Sequence, residues 1–257
     1  MNSQPSPSAV ALVTGAADRI GAAIALRLAE TGASVVIHYR TSGAAAEKLA
    51  AEIVANGGRA AVVQADLTRR ADRRGLIAAA AAPFGPLTIL VNNASLFEPD
   101  CIDDLDEDLW DKHFAVHVEA PAFLARDFAR QLPEGAEGNI VNIIDERVLH
   151  LTPAYFSYTL SKAALWDATR TLAQSLAPRI RVNAIGPGPT LRHEGQSQEA
   201  FNQAIAALPL EHGATPQEIA DAVAFLISTP SITGQMLALD GGRHLAYGIR
   251  GKTPRKP

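Results

Sequence analysis

Short apolar runs rich in β-branched residues alternate along this chain with longer Ala- and Leu-rich segments of helical period. The runs "AVALVT", "SVVIHY", "AAVVQA", "LTILVNN", "NIVNII", "IRVNAI" and "MLAL" have the length of strands and are apolar almost throughout. Such continuity is expected where helices cover both faces of a parallel sheet. Helix ends are legible in small residues. Gly32 follows "ALRLAET", Gly57 and Gly58 follow "AEKLAAEIVAN", and Thr215-Pro216 opens "QEIADAVAFLIS" as cap and first-turn proline. Seven strands separated by helices predict a doubly wound parallel sheet in a three-layer α/β/α arrangement, because right-handed crossovers place helices on both sides.

The 257 residues suffice for one large α/β domain, and no repeat or linker divides them. The expected boundaries are a loose N-terminal tail over 1–8, a single domain over 9–247 and a basic tail over 248–257, solvated or docking on an acidic partner. Within the domain, 187–210 is the longest irregular candidate and reads as a lid. A net charge of −4 offers no broad basic surface for nucleic acid or anionic membrane. No apolar run reaches the roughly 18 residues that span a bilayer, and the opening "MNSQPSPSAV" lacks a basic n-region and an apolar h-region, so a soluble protein is expected. The single cysteine, Cys101, excludes an intrachain disulfide and a multi-cysteine metal site. That usage fits a reducing cytoplasm, and no metal is expected; the side chain itself reads as small and half-buried rather than as a reactive thiol.

The first strand runs into "TGAADRIG", Thr14 to Gly21, with a helix starting at once. A strand, a tight glycine turn and a helix N-terminus form a pyrophosphate cradle, here Gly15, Arg19, Ile20 and Gly21. Arg19 stands where a middle glycine is expected, and its guanidinium can reach the adenosine phosphate. After the second strand comes "HYRTS", that is His38, Tyr39, Arg40, Thr41 and Ser42, with no acid to bind a ribose 2′-hydroxyl. The two arginines therefore favour NADPH over NADH. Asp66, before Leu67 in "QADL", either accepts from an adenine amino group or caps the helix of "TRRADRRG".

Tyr158 and Lys162, four apart in "YTLSK", share a helix face, so the ammonium can stabilise a phenolate left after proton donation. Together with "TGAADRIG", "VNNAS", "IRVNAIGPG" and "DGG" in order and spacing, this pair resembles the short-chain dehydrogenase/reductase family from about Val10 to Gly242. The resemblance implies a Rossmann-like domain of seven parallel strands, usually a homotetramer, acting on a small molecule. It also implies that Asn92, Ala94, Ser95 and the segment Ile185 to Thr190, with Pro187, Gly188 and Thr190, flank the nicotinamide half of the cofactor. Lys162 would orient the ribose.

Three departures narrow the resemblance. Arg19 replaces a glycine, Ser95 stands where glycine is frequent, and Asp145 replaces a serine. Together they are similar to the pteridine reductase and dihydromonapterin reductase branch, in which Phe97 of "NNASLF" would hold a pterin against the nicotinamide; otherwise Phe97 is a core aromatic. Ser95, Phe97, Asp145, Tyr158 and Leu191 are the expected substrate residues. Reducing a pterin C=N bond calls for a proton on nitrogen and acceptors for N–H, and a carboxyl at 145 can serve both. Its alternative is a cap for the loop "DERVLH". His117 stands where the family usually has asparagine, and either keeps that residue's backbone role or joins the proton relay. The expected activity is NADPH-dependent reduction of a pterin or dihydropterin. A 3-oxoacyl carrier-protein or small-ketone reductase is the alternative, and a non-catalytic NADP-binding regulator the third.

Overall fold

All seven apolar runs form strands of one parallel sheet: β1 (Val10–Val13), β2 (Ser34–Tyr39), β3 (Arg59–Gln64), β4 (Ile89–Asn92), β5 (Gly138–Ile143), β6 (Ile180–Pro187) and β7 (Met236–Leu239). Their spatial order is β3-β2-β1-β4-β5-β6-β7. The helices are α1 (Arg19–Glu30), α2 (Gly43–Ala55), α3 (Arg70–Ala81), α4 (Glu107–Phe114), α5 (Ala120–Gln131), α6 (Phe156–Leu176), α7 (Gln198–Ala206) and α8 (Pro216–Ser228). This computed structural model describes residues 9–193 and 195–245. The expected tails over 1–8 and 248–257, and the last two positions of the expected domain, lie outside the described residues.

The period of two along each strand sorts the core into two layers. Ala11 and Val13 of β1, with Val35 and Ile37 of β2, pack against Ile24 and Leu28 of α1, Ile53 of α2 and Val223 of α8. Val10, Leu12 and Val36 face the other way, onto Leu76 of α3, Leu124 and Phe128 of α5 and Ala173 of α6. Helix ends follow the small residues. Gly32 and Gly57 adopt φ of +89° and +84°, and Thr215 and Glu218 form a reciprocal capping box with Pro216 in the first turn of α8.

Two elements depart from the sequence reading. The stretch 187–210 is not irregular throughout, because α7 occupies its second half, capped by Ser197 Oγ accepting from Ala200 N at 3.1 Å. Phe201, Ala204, Ile205 and Leu208 supply an i, i+3, i+4, i+7 stripe short enough to be lost between the prolines. Between α4 and α5, Ala115–Glu119 forms a π-helical turn, which no local pattern announces.

Strand order reverses between β1 and β4, so their following segments diverge and leave a crevice at the carboxyl ends of the strands. The loops after β1, β4, β5 and β6 meet there.

Candidate active site

A cleft of about 640 Å³ opens at this crevice, running from Gly15, Arg19 and Gly21 past Asp145, Tyr158 and Lys162 to Leu191, His193 and Phe201. Its floor at β1 is built for close approach. Gly15 has φ +60°, and a Cβ there would sit 2.8 Å from Ala94 Cα; one on Gly21 would sit 2.4 Å from Gly15 O. Asp18 makes no side-chain cap at α1, which leaves the first-turn N–H groups facing the cleft entrance. Arg19 itself takes the left-handed φ of +53° that a glycine would adopt freely. Its guanidinium donates to the carbonyls of Arg192 (3.1 Å) and Leu191 (3.4 Å), tying the segment after β6 to the loop after β1.

Several expected cofactor contacts turn out to build the cradle from behind. His38 is buried; its Nδ1 accepts from Gly15 N at 3.0 Å, so Nε2–H donates to Ala65 O at 3.1 Å. Burial pushes the imidazole down to about 4, which keeps it neutral. Asn92 points into the sheet and donates to Asn142 Oδ1 at 2.8 Å, whereas its neighbour Asn93 lines the cleft and holds the carbonyls of Thr14 and Gly15. Alternation along β4 explains the exchange: one residue's shift moves a side chain to the opposite face. Asp66 does not cap α3, whose cap position is Arg69; its carboxylate accepts from Thr68 N and Oγ1, folding the turn after β3. Arg40, Thr41 and Ser42 are exposed at the end of β2, while Tyr39 packs on Gly43 and Leu67 is buried in the core.

At the centre, the Tyr158 hydroxyl donates to Asp145 Oδ2 at 2.9 Å. Asp145 Oδ1 accepts from Arg147 N at 2.9 Å and so caps the loop after β5, while Oδ2 takes the phenol. Burial raises the Asp145 pKa despite these donors. Burial, then the adjacent Asp145 charge, holds the phenol well above its ordinary range. The Lys162 Nζ donates to Ile143 O at 2.9 Å and lies 5.7 Å from the Tyr158 ring centroid, within cation–π range. Burial pulls the ammonium down to about 8, opposed by Asp145. His117 is 1% exposed, its ring perpendicular to Tyr158 at 5.3 Å, and burial, Lys162 and His113 keep it neutral. Phe97 is stacked on Tyr155, with centroids 4.4 Å apart, and meets Tyr158 edge-on at 4.8 Å.

The sequence reading passed over Tyr155, Arg147, Glu146 and Arg243, all of which line the cleft. Tyr155 stacks face to face on Phe97, and Arg147 Cζ lies 4.6 Å from the Tyr155 centroid; the aromatic three residues before Tyr158 was the available signal. Glu146 is 1% exposed, pairs through Oε1 with Arg243 at 3.0 Å, and leaves Oε2 without a hydrogen-bond partner. Nothing local distinguished it, since its burial depends on the turn after β7. Burial pushes its carboxyl up to about 7 against the pull of Arg243, and Asp145 raises it further. Between the ordinary glutamate value and 7, the folded chain thus binds more protons at this site than the unfolded one, and stability falls as pH rises. Glu146→Gln is expected to raise Tm relative to wild type more at about pH 8 than at about pH 5. An equal difference at both values would show that Glu146 does not titrate in this window.

The family model described as enoyl-(acyl carrier protein) reductase matches residues 15–244. The crystal structure of FolM alternative dihydrofolate reductase 1 from Brucella suis, in complex with NADP, superposes with a TM-score of 0.91 at 52% identity, covering 94% of this chain and 97% of that one. A short-chain type dehydrogenase/reductase of Picea abies is 36% identical over 91% of this chain and 92% of its own. A 3-oxoacyl-[acyl-carrier-protein] reductase of Synechocystis is 34% identical over 91% of this chain and 96% of its own.

Proposed function

The chain belongs to the short-chain dehydrogenase/reductase family, and from that premise we propose that it is an NADPH-dependent reductase acting on a C=N bond of a pterin or dihydropterin. The observation that carries this reading is the buried carboxyl of Asp145, bonded to the Tyr158 phenol at 2.9 Å. The Brucella suis protein, named a dihydrofolate reductase and solved with NADP, supports the substrate class and the cofactor. The cleft fits that cofactor, since side chains at Gly15 or Gly21 would fill the floor of the cradle. The first-turn N–H groups of α1 would take the pyrophosphate, Arg19 and Arg40 the 2′-phosphate, and Lys162, Ser95, Pro187, Gly188 and Thr190 the nicotinamide half. When bound, NADPH supplies the hydride.

The protein's own part is the proton. With Asp145 ionised, the phenol O–H is committed to the carboxylate. Burial favours the protonated carboxyl, and once protonated Asp145 donates to the phenol oxygen, which frees the phenol O–H to turn towards a substrate nitrogen. After transfer, the carboxyl proton restores the phenol. The stack of Phe97 on Tyr155, flanked by the Arg147 guanidinium, suits the addition of a heteroaromatic ring. A homotetramer in the cytoplasm belongs to the same proposal, on the family resemblance.

The Synechocystis relative favours a second reading, reduction of a 3-oxoacyl thioester or small ketone. NADPH oxidation with a dihydropterin, a 3-oxoacyl thioester and an activated ketone in parallel separates the two. The dihydropterin is expected to show the highest kcat/KM; turnover of only the oxo compounds hands the reading to the second. In equilibrium titrations at moderate salt, NADPH should bind at least about tenfold more tightly than NADH, about 1.4 kcal/mol. Equal dissociation constants would remove the role given to Arg19 and Arg40.

A further inference from the structure

Ser95, His117 and Asp145 are dispersed in the chain, but in the fold they join through Tyr158. Asp145 holds the phenol from one side. From the other, Ser95 lines the same cleft as Tyr158 and works against the rise of the phenol pKa, and its Oγ lies 3.0 Å from His117 Nε2, whose ring stands 5.3 Å from that of Tyr158. The tautomer of His117 follows from its neighbours. Leu96 N donates to Nε2 at 3.2 Å, so that nitrogen carries no proton. The proton is on Nδ1 and goes to Ser161 Oγ at 2.8 Å, and the Ser161 hydroxyl in turn donates to the Tyr158 carbonyl at 2.7 Å.

A second rung locks the ring. His113 stacks on His117 with centroids 5.6 Å apart and planes at 17°. Its Nδ1 lies 2.7 Å from Ser157 Oγ, whose hydroxyl donates to the Asp100 carboxylate. Each imidazole thus bonds one serine of α6, and Ser157 and Ser161 bracket Tyr158. On its Nδ1 side the chain from His117 ends at the backbone carbonyl of Tyr158, which fixes that proton in place. What it presents is a fixed lone pair at Nε2. The one hydroxyl proton of Ser95 has Nε2 at 3.0 Å as its acceptor, with the Tyr158 phenol in the same cleft.

We propose that His117 is a positioning residue for Ser95, and that Ser95 is the hydroxyl that stabilises the Tyr158 phenolate. While Tyr158 is protonated, the Ser95 O–H rests on Nε2. As the phenol O–H bond breaks and its proton passes to the substrate, the electron pair stays on the phenol oxygen and the Ser95 O–H turns to donate to it. Ser95 keeps its own proton throughout. The hydroxyl is already held in place by His117 when charge develops, and a donor positioned in advance costs no reorganisation at that moment. This inference rests on Tyr158 as the proton donor of the proposed function.

A double-mutant cycle tests it, read as kcat and KM for NADPH with whichever substrate of the panel above the wild type turns over. Ser95→Ala is expected to lower kcat about 10–100-fold, the range for losing a hydrogen bond to a charged group. Ser95→Thr, which keeps the hydroxyl, should restore most of that loss. His117→Asn, whose amide is too short to hold both Ser95 and Ser161, should lower kcat about tenfold in the wild-type background. In the Ser95→Ala background the same substitution should cost less than about twofold, since nothing remains to position. An equal cost in both backgrounds overturns the proposal, as does an unchanged kcat in Ser95→Ala. Should His117→Asn fail to fold, Ser95→Thr matching Ser95→Ala overturns it by itself. Tyr158→Phe in the same series separates the two failures: retained turnover there removes the proton donor, whereas an inactive Tyr158→Phe beside a silent Ser95→Ala removes only the role of Ser95.

Discussion

Tyr158→Phe is expected to lower kcat by about 10²–10⁴-fold, the usual weight of a general acid, while the dissociation constant for NADPH changes by less than about twofold. The substitution deletes one hydroxyl and keeps the ring. The ring contacts with Phe97 at 4.8 Å and His117 at 5.3 Å therefore survive, and the cradle at Gly15 and Gly21 is untouched. The loss of one donor to Asp145 Oδ2 leaves that oxygen short of a partner, which favours its protonation further and costs about 1 kcal/mol of stability. Turnover from NADPH oxidation and binding from a fluorescence titration check the two halves. Wild-type turnover in the variant would mean that Asp145 protonates the substrate directly.

The second large effect belongs to Asp145. Asp145→Ser should lower dihydropterin turnover by about 10²-fold or more, because the reserve proton and the acceptor for N–H groups vanish together. Reduction of an activated ketone should persist or rise, since a serine hydroxyl polarises a carbonyl. Asp145→Asn divides the two roles. The amide keeps an acceptor oxygen for Arg147 N and the shape of the side chain, but has no proton to return to the phenol. Lost turnover with dihydropterin binding retained assigns proton supply to the carboxyl. Lost binding assigns the charge, worth about 1.5–3 kcal/mol in a hydrogen bond to an ion. Unchanged kinetics in both variants would reduce Asp145 to the cap that its other oxygen already forms on the loop after β5.

Much of the architecture was legible because it rests on local periodicity. Strand runs buried on both faces need apolar residues at every position, and helix ends need residues that accept left-handed backbone or cap free N–H groups; Gly32, Gly57 and Thr215 announce themselves for that reason. The stripe of α7 was present as well, at Phe201, Ala204, Ile205 and Leu208, but nine residues of helix among prolines and glycines do not outweigh their surroundings.

The site divides along a different line. Residue type and spacing alone determined the glycine turn after β1, the pairing of Tyr158 with Lys162 and the exceptional carboxyl at 145, because each depends on chemistry within one element or one turn. Only the tertiary structure decided which way the side chains face. It turned His38 and Asn92 inward, set Asn93 in the cleft, buried Glu146 against Arg243 from the turn after β7, and fixed the tautomer of His117 through Leu96 and Ser161. It also kept Lys162 on the Ile143 carbonyl and the phenol protonated. The physical reason is common to all of them: burial and hydrogen-bond direction are set by partners distant in the chain, and in a low-dielectric site those two quantities govern where each proton resides.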